Sequence, residues 1–243
     1  HEEFSSKNWA KSYDFPAIEK GFVIKESIPD ARPSGTQGFW INMRKGKFSD
    51  PRVRQAIGMM FNFEWSNKTL FFDLYERTDS FWENSDMQAK GIPKGAELAL
   101  LEEYRNQLPV AVFDEPAFTP AKSRPRQADR NAIRAAGDLL DEAGWIVKNG
   151  KRTNGKGEIL ALTVVDDSAS FERVINPYVE NLKRLGVEAT FELIDSAQMQ
   201  QRQEDFDYDL MPGRLVMSLS PGEELATMLG SQGAKTPGSS NFS

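Results

Sequence analysis

The feature that most constrains the fold is a strand, helix and strand pattern over residues 159–193. Ile159–Val165 is an apolar run and Val187–Leu193 alternates between apolar and polar residues, which predicts two strands. Between them, apolar residues recur at helical spacing and Gly186 follows the last one, which predicts a helix that ends there. The helical positions are Phe171, Val174, Ile175, Tyr178, Val179, Leu182 and Leu185. A β-α-β crossover places its two strands parallel in one sheet, so the sequence predicts the α/β class.

Polar residues follow both strands of this unit. Asp166-Asp167-Ser168 come after the first strand, and Ile194-Asp195-Ser196 come after the second. In open α/β sheets, ligands bind beyond the carboxyl ends of the strands. Asp166 and Asp167 are the best candidates for general acid–base chemistry, which leaves open an α/β hydrolase that uses carboxylates or serine. The structural alternative is that one carboxylate caps the following helix while the other is solvated.

The rest of the chain adds further elements of both kinds. Gly38–Met43 is typical of a strand, and Asp50-Pro51 supplies an N-cap and a first-turn proline for a helix. The apolar run Phe22-Val23-Ile24 predicts a short strand in a segment that is otherwise rich in turn residues. Trp145-Ile146-Val147 is predicted to form a hairpin with Ile159–Val165.

The residue inventory argues against several classes of function. There are 30 Lys and Arg against 36 Asp and Glu, a net charge of −6, which disfavours a nucleic-acid partner. Cysteine is absent and the single histidine is His1, so we expect no thiolate nucleophile, no Ser-His-Asp triad and no metal centre. Apolar runs such as Ile57–Phe61 are far shorter than the roughly 20 residues of a membrane-spanning helix, so we expect no membrane insertion.

Two segments are candidates for ligand binding. The first, Ser80-Phe81-Trp82-Glu83-Asn84, combines two large aromatic residues with hydrogen-bonding side chains and has no helical periodicity. The alternative is that its aromatic residues only anchor a loop to the core. The second lies in the apolar run 210–219, where the guanidinium of Arg214 is a planar donor suited to carboxylate or phosphate. The candidate ligand-binding residues are therefore Ser80, Phe81, Trp82, Glu83, Asn84, Arg214, Met217, Ser218 and Ser220.

Several motifs resemble those of the extracellular solute-binding proteins of family 5, the peptide-binding subunits of ABC importers. The strand Phe39–Met43 followed by Asp50-Pro51-Arg52-Val53-Arg54-Gln55-Ala56 resembles the start of the second lobe in that family. Further matches, in the family's order, are Ala143-Gly144-Trp145, Asn149-Gly150, Lys156-Gly157, Leu182–Val187 and Phe206–Asp209. Four phrases resemble the subgroup of long oligopeptide-binding proteins that includes the microcin C importer's binding protein: Tyr13–Pro16, Ser80–Ser85, Ser220-Pro221-Gly222 and Gly238–Asn241.

The resemblance implies an incomplete lobe of a type II-like periplasmic binding protein, built from a mixed sheet flanked by helices. Residues 1–40 would be a strip of the first lobe and the hinge, and residues 41–243 would be the second lobe without its return segment. It also implies a periplasmic protein that uses no cofactor and catalyses no reaction. Such a protein closes on an oligopeptide or peptide-like compound and delivers it to an inner-membrane ABC permease.

One departure from the family concerns the end of the 210–220 run. Many relatives have an acidic residue there, ahead of a proline, which binds the ligand's amino terminus, whereas Met217-Ser218-Leu219-Ser220-Pro221 offers none. Typical peptide specificity is therefore not carried over. A third interpretation, besides a binding protein and a hydrolase, is a stable module used for protein contacts through an exposed apolar patch.

Overall fold

A four-stranded mixed sheet organises residues 5–241, the part of the chain that the computed structural model describes. The strands are β1 (Thr36–Ile41), β4 (Ala161–Asp166), β5 (Glu188–Leu193) and β6 (Leu210–Leu215), in the order β1-β6-β4-β5. Strands β4, β5 and β6 run parallel, and β1 runs antiparallel to β6. The α/β class and the mixed sheet expected from the sequence are confirmed.

The helices lie between and around these strands. They are α1 (Ser6–Lys11), α2 (Pro16–Glu19), α3 (Pro51–Met59), α4 (Phe63–Leu70), α5 (Gly95–Glu102), α6 (Ala111–Asp114), α7 (Arg130–Glu142), α8 (Glu172–Arg184), α9 (Ser196–Glu204) and α10 (Glu224–Leu229). Two short 3₁₀ helices are Gly46–Phe48 and Gly233–Lys235. Of the helices within residues 5–241, none has both the length and the hydrophobicity needed to cross a bilayer.

The predicted β-α-β unit is present as β4, α8 and β5. The main-chain N–H of Ile194 donates to the carbonyl of Asp166 at 3.0 Å, so the two strands end side by side. Successive residues of a strand face opposite sides of a sheet. Leu162 and Val164 belong to the main core with α3, α7 and α8, whereas Val165 packs in a smaller cluster on the other face with Met199 of α9.

Helix α3 forms where the sequence predicts it. The Asp50 carboxylate accepts a hydrogen bond from the N–H of Arg52 at 2.8 Å, and Pro51 occupies the first turn, where its missing N–H costs nothing. Val53, Ala56 and Ile57 are fully buried against the main core. The amphipathic spacing therefore fixes which face of this helix covers the sheet.

Two local predictions are wrong. The hairpin forms between β2 (Ile146–Lys148) and β3 (Lys151–Thr153), with Asn149-Gly150 in the turn, so β4 is free to join the main sheet. Asn149 and Gly150 have φ angles of 51° and 79°, the pair of positive values that a two-residue hairpin turn requires. Phe22-Val23-Ile24 forms no strand; Phe22 and Ile24 are 81% and 83% exposed. A run of three apolar residues does not define a strand when no neighbouring strand pairs with it.

The amino edge of the sheet is held by a cluster of charges around the buried Asp209. One carboxylate oxygen lies 2.9 Å from the Lys47 ammonium and 3.3 Å from that of Lys45. The other accepts a hydrogen bond from the N–H of Thr163 at 2.9 Å. Lys47 also donates to the carbonyl of Ala161 at 2.7 Å, so this cluster ties β1 and β6 to the start of β4.

Two sequence-based predictions involve residues outside 5–241. His1, on which the argument about histidine chemistry depends, lies outside the described residues, as do the outer ends of the predicted ranges 1–40 and 41–243. Those ranges stay predictions.

Candidate binding site at the carboxyl edge of the sheet

Strand β6 separates from β4 at the carboxyl edge. It pairs with β1 along its whole length but with β4 only where Leu210 faces Val164. The N–H of Asn42 donates to the carbonyl of Asp209 at 3.0 Å, so these two residues form a hydrogen-bonded pair of the antiparallel ladder. Hydrogen-bonded and non-hydrogen-bonded pairs alternate along such a ladder. The main-chain groups of Pro212 and Arg214 therefore point away from β1. Proline has no N–H for a further ladder bond to β4, so the β6 edge from residue 212 onward is open.

The predicted 80–84 loop lies at the same end of the sheet, against the start of β1 and the residues that follow β6. The hydroxyl of Thr36 donates to the carbonyl of Ser80 at 2.9 Å, and the N–H of Ser34 donates to the carbonyl of Glu83 at 3.0 Å. The indole N–H of Trp82 donates to the carbonyl of Ser218 at 2.9 Å. The two segments predicted from sequence to bind a ligand therefore meet, on either side of the start of β1.

Asn84 anchors the end of this loop. Its φ angle is 65°, a left-handed conformation that asparagine tolerates better than most residues. Its side-chain amide donates to the carbonyls of Asp30 at 2.8 Å and Arg32 at 3.0 Å. Glu83 is also held, because its carboxylate accepts from Gln88 at 2.9 Å and from the N–H of Asp79 at 3.0 Å. The polar side chains of Glu83 and Asn84 thus shape the loop.

An aromatic pair lies at the same end of the sheet. The rings of Trp40 and Phe81 are parallel within 5°, with centroids 6.3 Å apart. The Trp40 indole crosses Gly213 of β6 so closely that a Cβ at that position would lie 2.5 Å from it. Both aromatic residues are half-buried, so they present ring surface as well as covering the sheet. The sequence singled out Phe81 and missed Trp40 and Gly213; the Pro-Gly pair inside a strand was the signal available.

The other candidate residues differ in exposure. Arg214 is exposed, and one of its terminal nitrogens donates to the carbonyl of Ser34 at 3.0 Å. Met217 is only 4% exposed, whereas Ser218 and Ser220 are exposed, and the N–H of Ser220 donates to the hydroxyl of Ser218 at 3.0 Å. Arg214 therefore has donor nitrogens available to a ligand, and Met217 packs beneath the surface.

A buried carboxylate ends the central strand. Asp166 is 5% exposed; one oxygen accepts from the N–H of Asp167 at 3.0 Å, and the other has no hydrogen-bond partner among residues 5–241. Burial raises the pKa of this carboxyl, and the charge of Asp167 adds to the rise against the lowering effect of the N–H groups of Ser168 and Asp167.

The structural interpretation of this carboxylate pair is correct only in part. Asp167 is exposed, as expected, but neither carboxylate caps α8, because that helix has Phe171 at its N-cap position and no side-chain cap.

Two surface cavities lie away from this edge. One of about 370 Å³ lies between Met59 and the start of α7, and one of about 410 Å³ lies between α1 and the start of α8. Neither is lined by a candidate ligand-binding residue. Within residues 5–241, no group of three or more acidic or histidine side chains is arranged to hold a metal ion.

Comparison with known proteins identifies relatives over almost the whole chain. The probable peptide-binding protein YejA of Agrobacterium fabrum is 37% identical over 99% of this chain and 40% of its own length. The peptidoglycan-binding protein YepA of the same organism is 32% identical over 98% of this chain and 38% of its own length. The chain therefore spans about two fifths of the length of these relatives.

Solved structures share the fold at low sequence identity. The oligopeptide-binding protein AppA of Bacillus subtilis, in complex with a nonapeptide, superposes with a TM-score of 0.58 at 16% identity, over 96% of this chain and 42% of AppA. A periplasmic oligopeptide-binding protein of Thermotoga maritima with bound mannohexaose gives 0.59 at 17% identity, over 93% of this chain and 39% of that one. The family model "Bacterial extracellular solute-binding proteins, family 5 Middle" matches residues 2–237. With a family match over nearly its full length, this chain belongs to the bacterial extracellular solute-binding proteins of family 5.

Proposed function

We propose that the protein containing this chain is the periplasmic binding subunit of an ABC importer, which captures oligopeptides or peptide-like compounds by lobe closure and delivers them to the permease. The observation that carries this proposal is the open edge of β6 beside the aromatic pair, in a chain of family 5. Residues 1–40 would then supply a strip of the first lobe and the hinge, and residues 41–243 the second lobe. Closure of the two lobes would enclose the ligand at this edge.

The open β6 edge suits an extended ligand. Main-chain groups at Pro212 and Arg214 face away from β1, and a peptide laid along them could pair as an added strand. Main-chain pairing is indifferent to side-chain identity, so it favours a binding protein that accepts many sequences. The Arg214 guanidinium, whose described contact uses one nitrogen, is a donor for a carboxylate of the ligand.

The half-buried aromatic surface of Trp40 and Phe81 favours a ligand with flat or apolar groups. The names of the relatives point in two compatible directions: YejA is a probable peptide-binding protein and YepA a peptidoglycan-binding protein, and peptidoglycan carries peptides. We extend the proposal to peptides that carry a non-peptide group, in line with the resemblance to the microcin C importer's binding protein.

The test is capture of the natural ligand. The longest native polypeptide that contains this sequence is expressed in a bacterial periplasm, released gently and weighed by native mass spectrometry, and denaturing spectra identify what was bound. We expect peptides or peptide conjugates. An empty protein that also gives no heat on titration with a peptide mixture and with peptidoglycan fragments would overturn the proposal.

A matched pair of variants tests whether Arg214, at the open edge of β6, binds the ligand. Arg214→Gln should weaken binding of carboxylate-bearing peptides by about tenfold, the scale of one charge-assisted hydrogen bond. Arg134→Gln, which removes an exposed arginine of α7, is the control and should leave affinity unchanged. Equal affinities of the two variants would remove Arg214 from the site.

A further inference from the structure

The segment that follows β6 has little apolar contact with the rest of the lobe. No residue of 218–241 belongs to either of the two core clusters, and α10 has no buried residue. Within 218–241, only Gly233 and Asn241 are buried. Segments with few buried apolar contacts open at low cost in free energy. The position of this segment therefore depends on its polar contacts.

The last part of the segment folds back on itself. The side-chain amide of Asn241 donates to the carbonyl of Gly230 at 3.1 Å. A Cβ at Gly233 would lie 2.5 Å from the carbonyl oxygen of Thr227, so the second 3₁₀ helix packs directly against α10. Residues 224–241, here called the terminal unit, are therefore held to one another more closely than to the core.

Arg44 ties the terminal unit to the sheet. Its Nε donates to the carbonyl of Ala234 at 2.7 Å, and one terminal nitrogen donates to the carbonyl of Asn241 at 2.9 Å. The other terminal nitrogen donates to the side-chain oxygen of the buried Asn42 at 3.3 Å. The guanidinium lies 3.5 Å from the ring centroid of Phe206, which packs against the smaller core cluster. One side chain thus joins the core to the terminal unit.

A second link between the terminal unit and the lobe is weaker. The N–H of Gly238 donates to the carbonyl of Glu204, the last residue of α9, at 3.0 Å. Both residues are exposed, so water competes for this main-chain hydrogen bond. A half-buried guanidinium with two bonds to the unit is the stronger attachment.

The terminal unit in turn fixes a stretch of the candidate site. Residues 216–223 connect β6 to the unit and carry three of the candidate ligand-binding residues, Met217, Ser218 and Ser220. The ladder with β1 fixes one end of this connection, and Arg44 fixes the other through the unit. A stretch that is ordered before the ligand arrives loses less conformational entropy on binding.

We propose that Arg44 is a positioning residue for ligand binding, which orders residues 216–223 by holding the terminal unit against the core. This inference rests on the proposed function. Arg44 follows β1, which runs antiparallel to β6, so it lies at the amino edge of the sheet, roughly 20 Å from the carboxyl end of β6. It acts on the ligand only through the segment that it fixes. Its loss should therefore change the mobility of 216–223 and the affinity together.

The test compares Arg44→Gln with Arg54→Gln in the longest native polypeptide that contains this sequence. Arg54 is the matched control, because its guanidinium also donates to two main-chain carbonyls, those of Phe48 and Ser49, at 2.8 Å each. Hydrogen exchange of the amides in 216–223 is measured without ligand. Isothermal titration uses the oligopeptide that the wild type binds most tightly from a peptide mixture.

Arg44→Gln should speed exchange in 216–223 and weaken binding by about three- to tenfold, the scale of ordering one or two side chains. Arg54→Gln should leave both readouts unchanged, although it lowers thermal stability. Arg44→Lys keeps the cation but replaces the planar fork with one ammonium nitrogen, so its affinity should fall between those of Arg44→Gln and the wild type.

The contrary outcomes separate the two proposals. Unchanged affinity in Arg44→Gln, a loss of affinity without faster exchange in 216–223, or the same losses in Arg54→Gln would each overturn the positioning role while the peptide-binding function stands. A wild type that binds no peptide of the mixture overturns the function, and the positioning role with it. Should Arg44→Gln fold poorly, Arg44→Lys takes its place, and wild-type affinity in that variant would count against the role.

Discussion

Two buried carboxylates, Asp209 and Asp166, lie at opposite edges of the same sheet and are treated differently by the fold. Asp209, 8% exposed, has two lysine ammonium groups and a main-chain N–H around it. Asp166, 5% exposed, has only the main-chain N–H groups of Asp167 and Ser168 beside it and forms no ion pair with a described lysine or arginine. The carboxylate at the amino edge is therefore neutralised by two cations, whereas within residues 5–241 the carboxylate at the carboxyl edge has no ion pair and β6 pairs with β4 only at Leu210. The difference distinguishes the end of the sheet that stabilises the fold from the end that is accessible to a ligand.

The largest effect should come from breaking the satisfied edge. Asp209→Asn leaves Lys45 and Lys47 facing an amide and should lower the free energy of unfolding by about 2–3 kcal/mol, less than for a fully buried pair because the lysines are 35% and 27% exposed. Asp207→Asn, at a carboxylate that is 73% exposed and 3.8 Å from Lys45, is the control and should change it by under about 0.5 kcal/mol. Urea denaturation measures both free energies, and equal values would show that the buried Asp209 stabilises the fold no more than an exposed ion pair does.

A second prediction concerns the contact of Trp40 with β6. In Gly213→Ala the new methyl group would lie 2.5 Å from the indole, so the ring must move, and we expect a loss of about 2 kcal/mol together with a change in near-ultraviolet circular dichroism. The matched control is Gly38→Ala, at the residue that faces Gly213 across the ladder and has nothing within 4 Å of a Cβ. If both variants behaved alike, the close approach of Trp40 would not be important for stability.

The third prediction concerns Asp166, whose substitution should raise the free energy of unfolding near neutral pH instead of lowering it. Because burial raises the pKa of this carboxyl, the folded state holds the proton more tightly than the unfolded state does. The stabilisation that the protonated Asp166 carboxyl contributes to the folded state is fully present below the ordinary aspartate pKa, near 3.9. It is lost as the pH rises through the raised pKa of the folded state. Asp166→Asn should therefore be more stable than wild type near neutral pH, by about 1 kcal/mol, and the difference should vanish at low pH.

Thermal unfolding of both proteins over a pH series measures this difference. Asp167 is the charged group that acts on Asp166, so Asp167→Asn should lower the pH at which the contribution is lost. An Asp166→Asn variant that is less stable at every pH would mean that this carboxylate serves the fold, as Asp209 does.

The smallest effect belongs to the contact that joins the two predicted segments. Trp82→Phe keeps an aromatic ring, although a smaller one, and removes the indole donor to the carbonyl of Ser218, which should cost about 0.5–1 kcal/mol of stability. Trp65→Phe in α4 serves as the control for losing an indole elsewhere. Hydrogen exchange of amides in residues 214–220 measures the effect, and unchanged protection there would show that the contact does not order the segment.

Local patterns in the sequence predicted the elements of the fold, and long-range pairing decided the rest. The β4-α8-β5 unit followed from spacing, because periodicity and caps are encoded within about 30 residues. The hairpin prediction failed because Asn149-Gly150 closes the hairpin directly after β2. The pairing of β4 with β5 and β6, by contrast, is not encoded locally. The pairing of Thr36 with Leu215 joins residues far apart in sequence and is invisible to periodicity.

In the candidate site, too, local patterns identified individual residues, whereas long-range pairing determined which of them lie together. Aromatic composition singled out residues 80–84, and an isolated charge singled out Arg214, but their proximity depends on how β1 pairs with β6. The isolation of Asp166 could not be predicted either, because it depends on β6 leaving β4 beyond Leu210. An adjacent pair of aspartates reads the same in sequence whether or not a donor lies beside it.

Pro212 has a consequence for solubility. A strand whose edge is open to a peptide is equally open to the edge of another molecule, which is how sheets polymerise into aggregates. Pro212 removes one donor from that edge, and the charge of Arg214 two residues on repels a second copy laid against the same strand. Strand β6 therefore stays accessible to a short peptide but pairs poorly with the same strand of a second copy of the protein.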